Sequence, residues 1–253
     1  EPDGRFFALV PEQFTMQTQK ELVALSPRHG IMNVDILSFD RLAHRVFAEV
    51  GGDQTPVLED VGKILVLERV VQEQKKKLGV LGSSLEKLGT VSEMNSLLSE
   101  LMQYDIHPEE LDEIGNLAKE RPLLYHKLQD VQAIYQGFSE FLRKRYITAE
   151  EVLDLLCEKI GSSRLVRDSW IALDGFTGFT PVQNKLLREL LKLAQQVWVT
   201  VTLEEKVSVA QLKRPQQLFR MSGEMMESLT RMAKEERVGA IRSEKAGQYS
   251  VTY

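Results

Sequence analysis

Trp170-Ile171-Ala172-Leu173-Asp174-Gly175-Phe176-Thr177-Gly178-Phe179-Thr180-Pro181 is the stretch that decides the fold. Its first four residues form a continuous apolar run, the pattern of a strand covered on both faces. Asp174 stands where the run stops. Gly175 and Gly178 permit a tight loop. Thr180 then caps a helix, with Pro181 at its first position and Gln183 three residues after the cap. In open α/β sheets, ligands bind beyond the carboxyl ends of such strands. The same pattern also fits an ordinary strand-to-helix turn, but two phenylalanines in a glycine loop invite a closer look.

Working outward, the same unit recurs near the start of the chain. Arg5 to Val10 is a strand ended by Pro11, followed by a helix carrying Met16, Leu22, Val23 and Leu25 that Pro27 and Gly30 break. Val34 to Ser38 is a second strand. Ser38 or Asp40 can cap the next helix, whose apolar face holds Leu42, Ala43, Val46, Phe47 and Val50. Beyond the central stretch, a helix buries Leu186, Leu187, Leu190 and Leu193. Val197 to Leu203 alternates as a strand. Met225 to Met232 reads as helical and Gln248 to Tyr253 as a final strand. Strands that lead through polar turns into helices build a parallel α/β sheet.

The stretch between differs. From Leu58 to Ile160 the periodicity predicts helices only. One stripe joins Leu58, Val61, Leu65 and Val71, and a second joins Val91, Met94, Leu97, Leu98 and Leu101. Pro108 opens a short helix with Leu111 and Ile114. From Pro122 to Arg145, Leu124, Leu128, Val131, Tyr135, Phe138 and Leu142 fall on one face. Thr148 to Glu151 is a capping box for a helix with Val152, Leu155, Leu156 and Ile160. The expected organisation is an α/β domain of residues 1–55 and 166–253, interrupted by a helical insertion, residues 56–165.

Composition narrows the function classes. At 253 residues, a net charge of −5 gives no global basic footprint for nucleic acid. One cysteine, Cys157, cannot build a disulfide, zinc or iron–sulfur site within the chain and reads as a small buried hydrophobe. That usage fits a cytoplasmic setting. No apolar run approaches the ~20 residues that cross a bilayer. The chain starts at Glu1 directly before a strand and reads as a fragment of something longer.

Hydrolytic chemistry is hard to assemble. His29, His44, His107 and His126 lack metal-ligand spacing, and no Gly-x-Ser-x-Gly elbow is present. Glu109-Glu110 and Glu150-Glu151 stand at helix starts, where acids favour the dipole. Lys75 to Lys77 reads as a solvated face. Gly161-Ser162-Ser163 has no lysine and no preceding strand, so it is not a phosphate loop. What remains is three strand ends. They carry Gln13 and Thr15, then Phe39, Arg41 and His44, then Asp174, Phe176 and Phe179. In a parallel sheet these share one edge. Amides, hydroxyls, a guanidinium and aromatics together suit single-stranded nucleic acid, stacking on bases and holding phosphates.

Leu9-Val10-Pro11-Glu12-Gln13-Phe14-Thr15, Leu37-Ser38-Phe39-Asp40-Arg41-Leu42-Ala43 and Asp174 to Pro181 resemble, in order and spacing, the amino-terminal region of the AddB (RexB) family. These are the B subunits of bacterial AddAB helicase–nucleases, which repair double-strand breaks. The resemblance implies a RecA-like helicase domain that lacks its first strand and Walker A loop. It places the Pro11 and Ser38 turns on the single-strand track, and Asp174-Gly175 where a working motor has the Asp-Glu of its Walker B segment. There the aspartate helps hold magnesium and the glutamate positions water. Gly175 has no carboxylate, so hydrolysis by this segment is expected to be lost or very slow, even if nucleotide binds.

By the same resemblance, the module scans single-stranded DNA and helps recognise Chi, a short regulatory sequence. The implied contacts are Gln13, Thr15, Phe39, Arg41, His44 and Phe176. The family tends to carry tryptophan where this chain has His44, which stacks over a smaller area. No catalytic residue and no metal ligand is expected. ATP and Mg2+ would need the missing upstream loop, and the family's iron–sulfur cluster lies outside this chain. The implied partners are single-stranded DNA and an AddA-type subunit, with no membrane. The fragment is expected to be inactive within a parent ATP-dependent exodeoxyribonuclease and helicase. Two other readings stay open: an ATP-hydrolysing motor in the full-length protein, and a scaffold that docks the partner subunit.

Overall fold

A computed structural model describes residues 4–27, 29–51, 55–82, 84–85, 89–143, 145–203 and 218–239. The strands are β1 (Phe6–Leu9), β2 (Val34–Leu37), β3 (Val57–Leu58), β4 (Ile147–Thr148), β5 (Trp170–Leu173) and β6 (Gln196–Val199). The helices are α1 (Thr15–Leu25), α2 (Phe39–Val50), α3 (Asp60–Gln74), α4 (Thr90–Gln103), α5 (Glu110–Leu117), α6 (Pro122–Leu142), α7 (Ala149–Lys159), α8 (Pro181–Leu193) and α9 (Arg220–Glu235). The last contains the expected Met225 to Met232 helix. The expected strand at Gln248 to Tyr253 lies outside the described residues.

Four strands pair in the order β2-β1-β5-β6, all parallel. Leu9 stands opposite both Leu37 and Leu173, and Leu173 opposite Val199, so the carboxyl ends are level. From β1 the chain steps outward to β2. From β5 it steps outward the other way to β6. The direction therefore reverses between β1 and β5, which makes the crevice above their ends the topological switch point. Strand β6 stops at Val199, short of the expected Leu203.

One face of the sheet carries the core. Phe7, Leu9, Leu37, Ile171 and Leu173 pack with Leu42 and Val46 of α2, Val152 and Leu156 of α7, and Leu186, Leu187 and Leu190 of α8. The other face does not match the expectation of a strand covered on both sides. Ala172 is exposed, Trp198 is 42% exposed, and the Phe6 and Trp170 rings meet at 5.9 Å with partial access to solvent. A continuous apolar run therefore hides an ordinary alternation, with Ile171 and Leu173 inward. Helix α1 buries Thr15 but leaves Met16 and Leu25 exposed, so its expected apolar face is only half used.

A second core lies in the middle of the chain. Val66, Leu67, Val70 and Val71 of α3 pack with Met94 and Leu98 of α4, Leu111 of α5, and Val131, Ile134, Phe138 and Leu142 of α6. Helices α3 and α6 approach closely because Gly137 has no Cβ; one there would stand 2.9 Å from Val70 Cγ1. The α3 stripe departs from expectation: Val61 and Leu65 are exposed and Lys63 faces inward. The helices-only expectation also needs correction. Strands β3 and β4 pair in parallel, with Leu58 opposite Thr148, and tie the two ends of this block together. Helix α7, expected to belong to the block, gives its buried face to the sheet's core instead.

Two acids, the buried Asp130 and the partly buried Glu150, hold this region. Lys63, 3% exposed, donates to Ser99 Oγ at 2.9 Å and to Glu150 Oε1 at 3.0 Å, with Asp60 Oδ1 also at 3.0 Å. Burial alone would push Glu150 up. Its backbone hydrogen bond, Lys63 and Ser99 reverse that and hold it below the usual carboxylate range. Asp130 accepts the backbone N–H groups of Gly79, Val80 and Leu81 at 2.7–2.8 Å, fixing the turn after α3. Among the described residues, no helix is long and apolar enough to cross a membrane.

Candidate nucleic-acid interface

Three turns meet above the carboxyl ends of β1, β2 and β5. In the first, Pro11 stops the strand and its carbonyl accepts the Phe14 N–H at 2.8 Å. The Thr15 hydroxyl donates to the Glu12 carbonyl at 2.9 Å. In the second, Ser38 caps α2 by accepting the Arg41 N–H at 3.3 Å. In the third, Thr180 and Gln183 form the expected capping box, with Pro181 at the first position of α8. Each turn is thus fixed by its own local hydrogen bonds.

Side chains then join the turns to one another. Arg41 Nη2 lies 2.8 Å from Glu12 Oε1, linking the second turn to the first. Phe39 and Phe176 rings stand 5.3 Å apart, and Phe176 lies 5.0 Å from Phe179, linking the second turn to the third. Gly175 has φ +77, a conformation that disfavours any side chain. A Cβ there would meet Pro11 Cδ at 3.5 Å and Phe14 Cδ2 at 3.6 Å, which links the third turn to the first at the switch point.

The residues singled out from sequence fall into two groups. Gln13, Arg41, His44, Asp174 and Gly175 are exposed, and Phe176 is half-buried. Thr15 and Phe39 are 4% and 6% exposed. Their geometry suits them to hold the surface: Thr15 anchors the Glu12 turn, and Phe39 backs the Phe176 ring. Two participants escape a reading of the sequence. Glu12 is one. Thr200 is the other: its hydroxyl donates to Asp174 Oδ1. The signal for Thr200 is the parallel register, which carries Leu173 to Val199 and so sets Asp174 beside Thr200. It becomes readable only once β6 is known to neighbour β5.

The charges at this edge oppose one another. The Ser38 hydroxyl and the Arg41 guanidinium hold the Glu12 carboxyl below its ordinary range. Desolvation and then the Glu12 charge push Asp40 up, while His44 pulls it down. Fit to a nucleotide-bound metal is poor. Asp174 is engaged by Thr200, and Gly175 brings no second acid. Among the described residues, no group of three or more His, Cys, Asp or Glu could hold a metal ion. Elsewhere, burial and then Asp154 and Glu189 push the Cys157 thiol up to about 12, so it stays a thiol at neutral pH. Three of the paired acids hold structure: Glu150 pairs with Lys63, Glu151 completes the Thr148 capping box, and Glu110 accepts the His107 N–H.

A family described as "ADDB, N-terminal" matches residues 1–252. Similar proteins are named as the B subunits of ATP-dependent helicase/deoxyribonucleases. The one from Lachnoclostridium phytofermentans is 52% identical over 236 residues, covering 92% of this chain and 20% of that protein. That from Alkaliphilus metalliredigens is 35% identical over 204 residues, covering 81% and 18%. That from Bacillus mycoides is 31% identical over 236 residues, covering 91% and 20%. The chain spans about a fifth of the length of these relatives.

Proposed function

The chain belongs to the AddB amino-terminal family, and on that premise we propose that it is a catalytically degenerate, RecA-like module that binds single-stranded DNA along the carboxyl edge of its sheet. It works in the cytoplasm within a double-strand-break repair helicase–nuclease, beside an A-type subunit, and helps to recognise the Chi sequence. The names of its relatives, B subunits of ATP-dependent helicase/deoxyribonucleases, support a helicase–nuclease with a second subunit. The observation that carries the DNA edge is the meeting of the three turns at the switch point, with Arg41, His44, Gln13 and Phe176 reaching solvent there.

The surface residues divide the work. Arg41 provides a planar fork for a phosphate oxygen. His44 and Phe176 provide faces for bases, and the Gln13 amide can read a base edge. Phe39 and Phe179 brace Phe176. The module does no hydrolysis of its own, because position 175 is a glycine whose backbone conformation resists replacement. Fluorescence anisotropy with short single-stranded DNA and the full-length subunit tests the edge. Arg41→Ala should weaken binding and lower the salt slope by roughly 0.7, the share of one phosphate contact. Equal affinity and slope in wild type and variant would overturn it.

A second role has its own observation. Leu117 is 88% exposed and Leu123 62%, flanking the turn between α5 and α6. Apolar side chains so exposed suit docking of the partner subunit. Leu117→Ser with Leu123→Ser should reduce co-purification of that subunit while leaving DNA binding intact. Full recovery of the complex would remove this role.

A further inference from the structure

Arg41 is the strongest phosphate donor at the proposed edge, and it is already engaged. Its guanidinium pairs with Glu12 at 2.8 Å, and about half of each side chain faces solvent, 51% and 54% respectively. Ser38, 4% exposed, caps its own turn by accepting the Arg41 N–H at 3.3 Å. A guanidinium is the donor that a phosphate oxygen would use. The charge nearby is unfavourable to an incoming anion: the Glu12 carboxylate adds to the push of burial on Asp40, while His44 pulls the other way and Arg41 offsets Glu12 itself.

We infer that Glu12 is a competing anion built into the DNA edge: a strand phosphate gains the Arg41 guanidinium only as the Glu12 carboxylate leaves it, so Glu12 sets how tightly the edge grips the backbone. This rests on the reading of the edge as a DNA track. Exposed ion pairs are weak and exchange readily. A phosphate therefore trades one anion for another at nearly constant charge on Arg41. The outcome is a shallow grip that lets a strand pass, with discrimination left to the base-facing residues. The turn itself does not depend on the pair. It is closed by Phe14 N–H to Pro11 and by Thr15 to the Glu12 carbonyl, both backbone-directed.

The test uses the full-length subunit and a fluorescein-labelled oligothymidine at low salt, comparing wild type, Glu12→Gln, Arg41→Ala and the double variant. Glu12→Gln should tighten binding by about two- to five-fold, the scale of an exposed ion pair, with an unchanged melting temperature. In the double variant the gain should vanish, leaving the affinity of Arg41→Ala. If Arg41→Ala weakens binding but Glu12→Gln leaves it unchanged or weakens it, Glu12 is a staple between turns and the inference fails while the DNA edge stands. A gain that persists without Arg41 also overturns it. If Arg41→Ala binds as wild type does, the track lies elsewhere and both readings fall.

Discussion

The sheet's edge and the helical block each carry a cation–glutamate pair and use it in opposite ways. At the edge, Arg41 and Glu12 pair in solvent, half-exposed and free to exchange. In the block, Lys63 and Glu150 pair behind α3, α4 and α7, nearly without solvent. The exposed pair contributes little to stability and is available to a ligand. The buried pair is unavailable to a ligand, and removing one partner leaves a stranded charge. A charge pattern in a sequence therefore has no fixed meaning until burial is known. Here burial separates a surface that can bind from a joint that can only hold.

The largest expected effect breaks the joint. Lys63→Met leaves Glu150 buried without its cation, at a cost of about 3–5 kcal/mol, read as a lower urea midpoint. Its pH dependence follows from the two directions. Glu150 is held below its ordinary value, so its contribution is present above the unfolded carboxylate range and fades as pH falls through the folded value. For Lys63, burial pushes the ammonium down, but the Asp60 and Glu150 hydrogen bonds and charges win and hold it above its ordinary value. Its contribution is present below the unfolded lysine value and fades as pH rises through the folded one. The gap between wild type and variant should thus be widest near neutrality and shrink toward both extremes. A gap independent of pH would mean that the pair is not what the variant removes.

A smaller effect sharpens the same contrast. Asp130→Ala frees the three N–H groups of Gly79, Val80 and Leu81, and should cost about 2–3 kcal/mol. Hydrogen exchange should speed up at those amides while the amides of β1 and β5 stay protected. Loss of protection across the sheet would show that block and sheet unfold as one unit rather than as two cores.

Much of the sheet is legible in the sequence because its signals are local. Phe6 to Leu9 and Trp170 to Leu173 each carry their own apolar run and terminator, and Val34 to Leu37 is apolar but for Asp35. The capping box at Thr180 is contained in four residues. The edge residues Gln13, Arg41, His44 and Phe176 are placed by following strands to their ends. What escapes needs distant partners. Strands β3 and β4 are two residues each and exist only as a pair. Lys63 reads as a surface residue until Glu150 and Ser99 arrive. Asp130 is satisfied by backbone groups, which leave no trace in side-chain spacing. Thr200 needs the register of β6 on β5, and Glu12 needs Arg41 from the next turn. Trp170 and Ala172 mislead differently: apolar residues on an open sheet face look the same in sequence as buried ones.

The most direct test of the account maps where DNA lies. Short single-stranded DNA carrying 5-iodouracil is crosslinked to the full-length subunit, and the modified peptides are identified by mass spectrometry. Adducts are expected at His44 and Phe176, with fewer after Arg41→Ala. Adducts confined to helices α3 to α6, with none at the three turns, would contradict it.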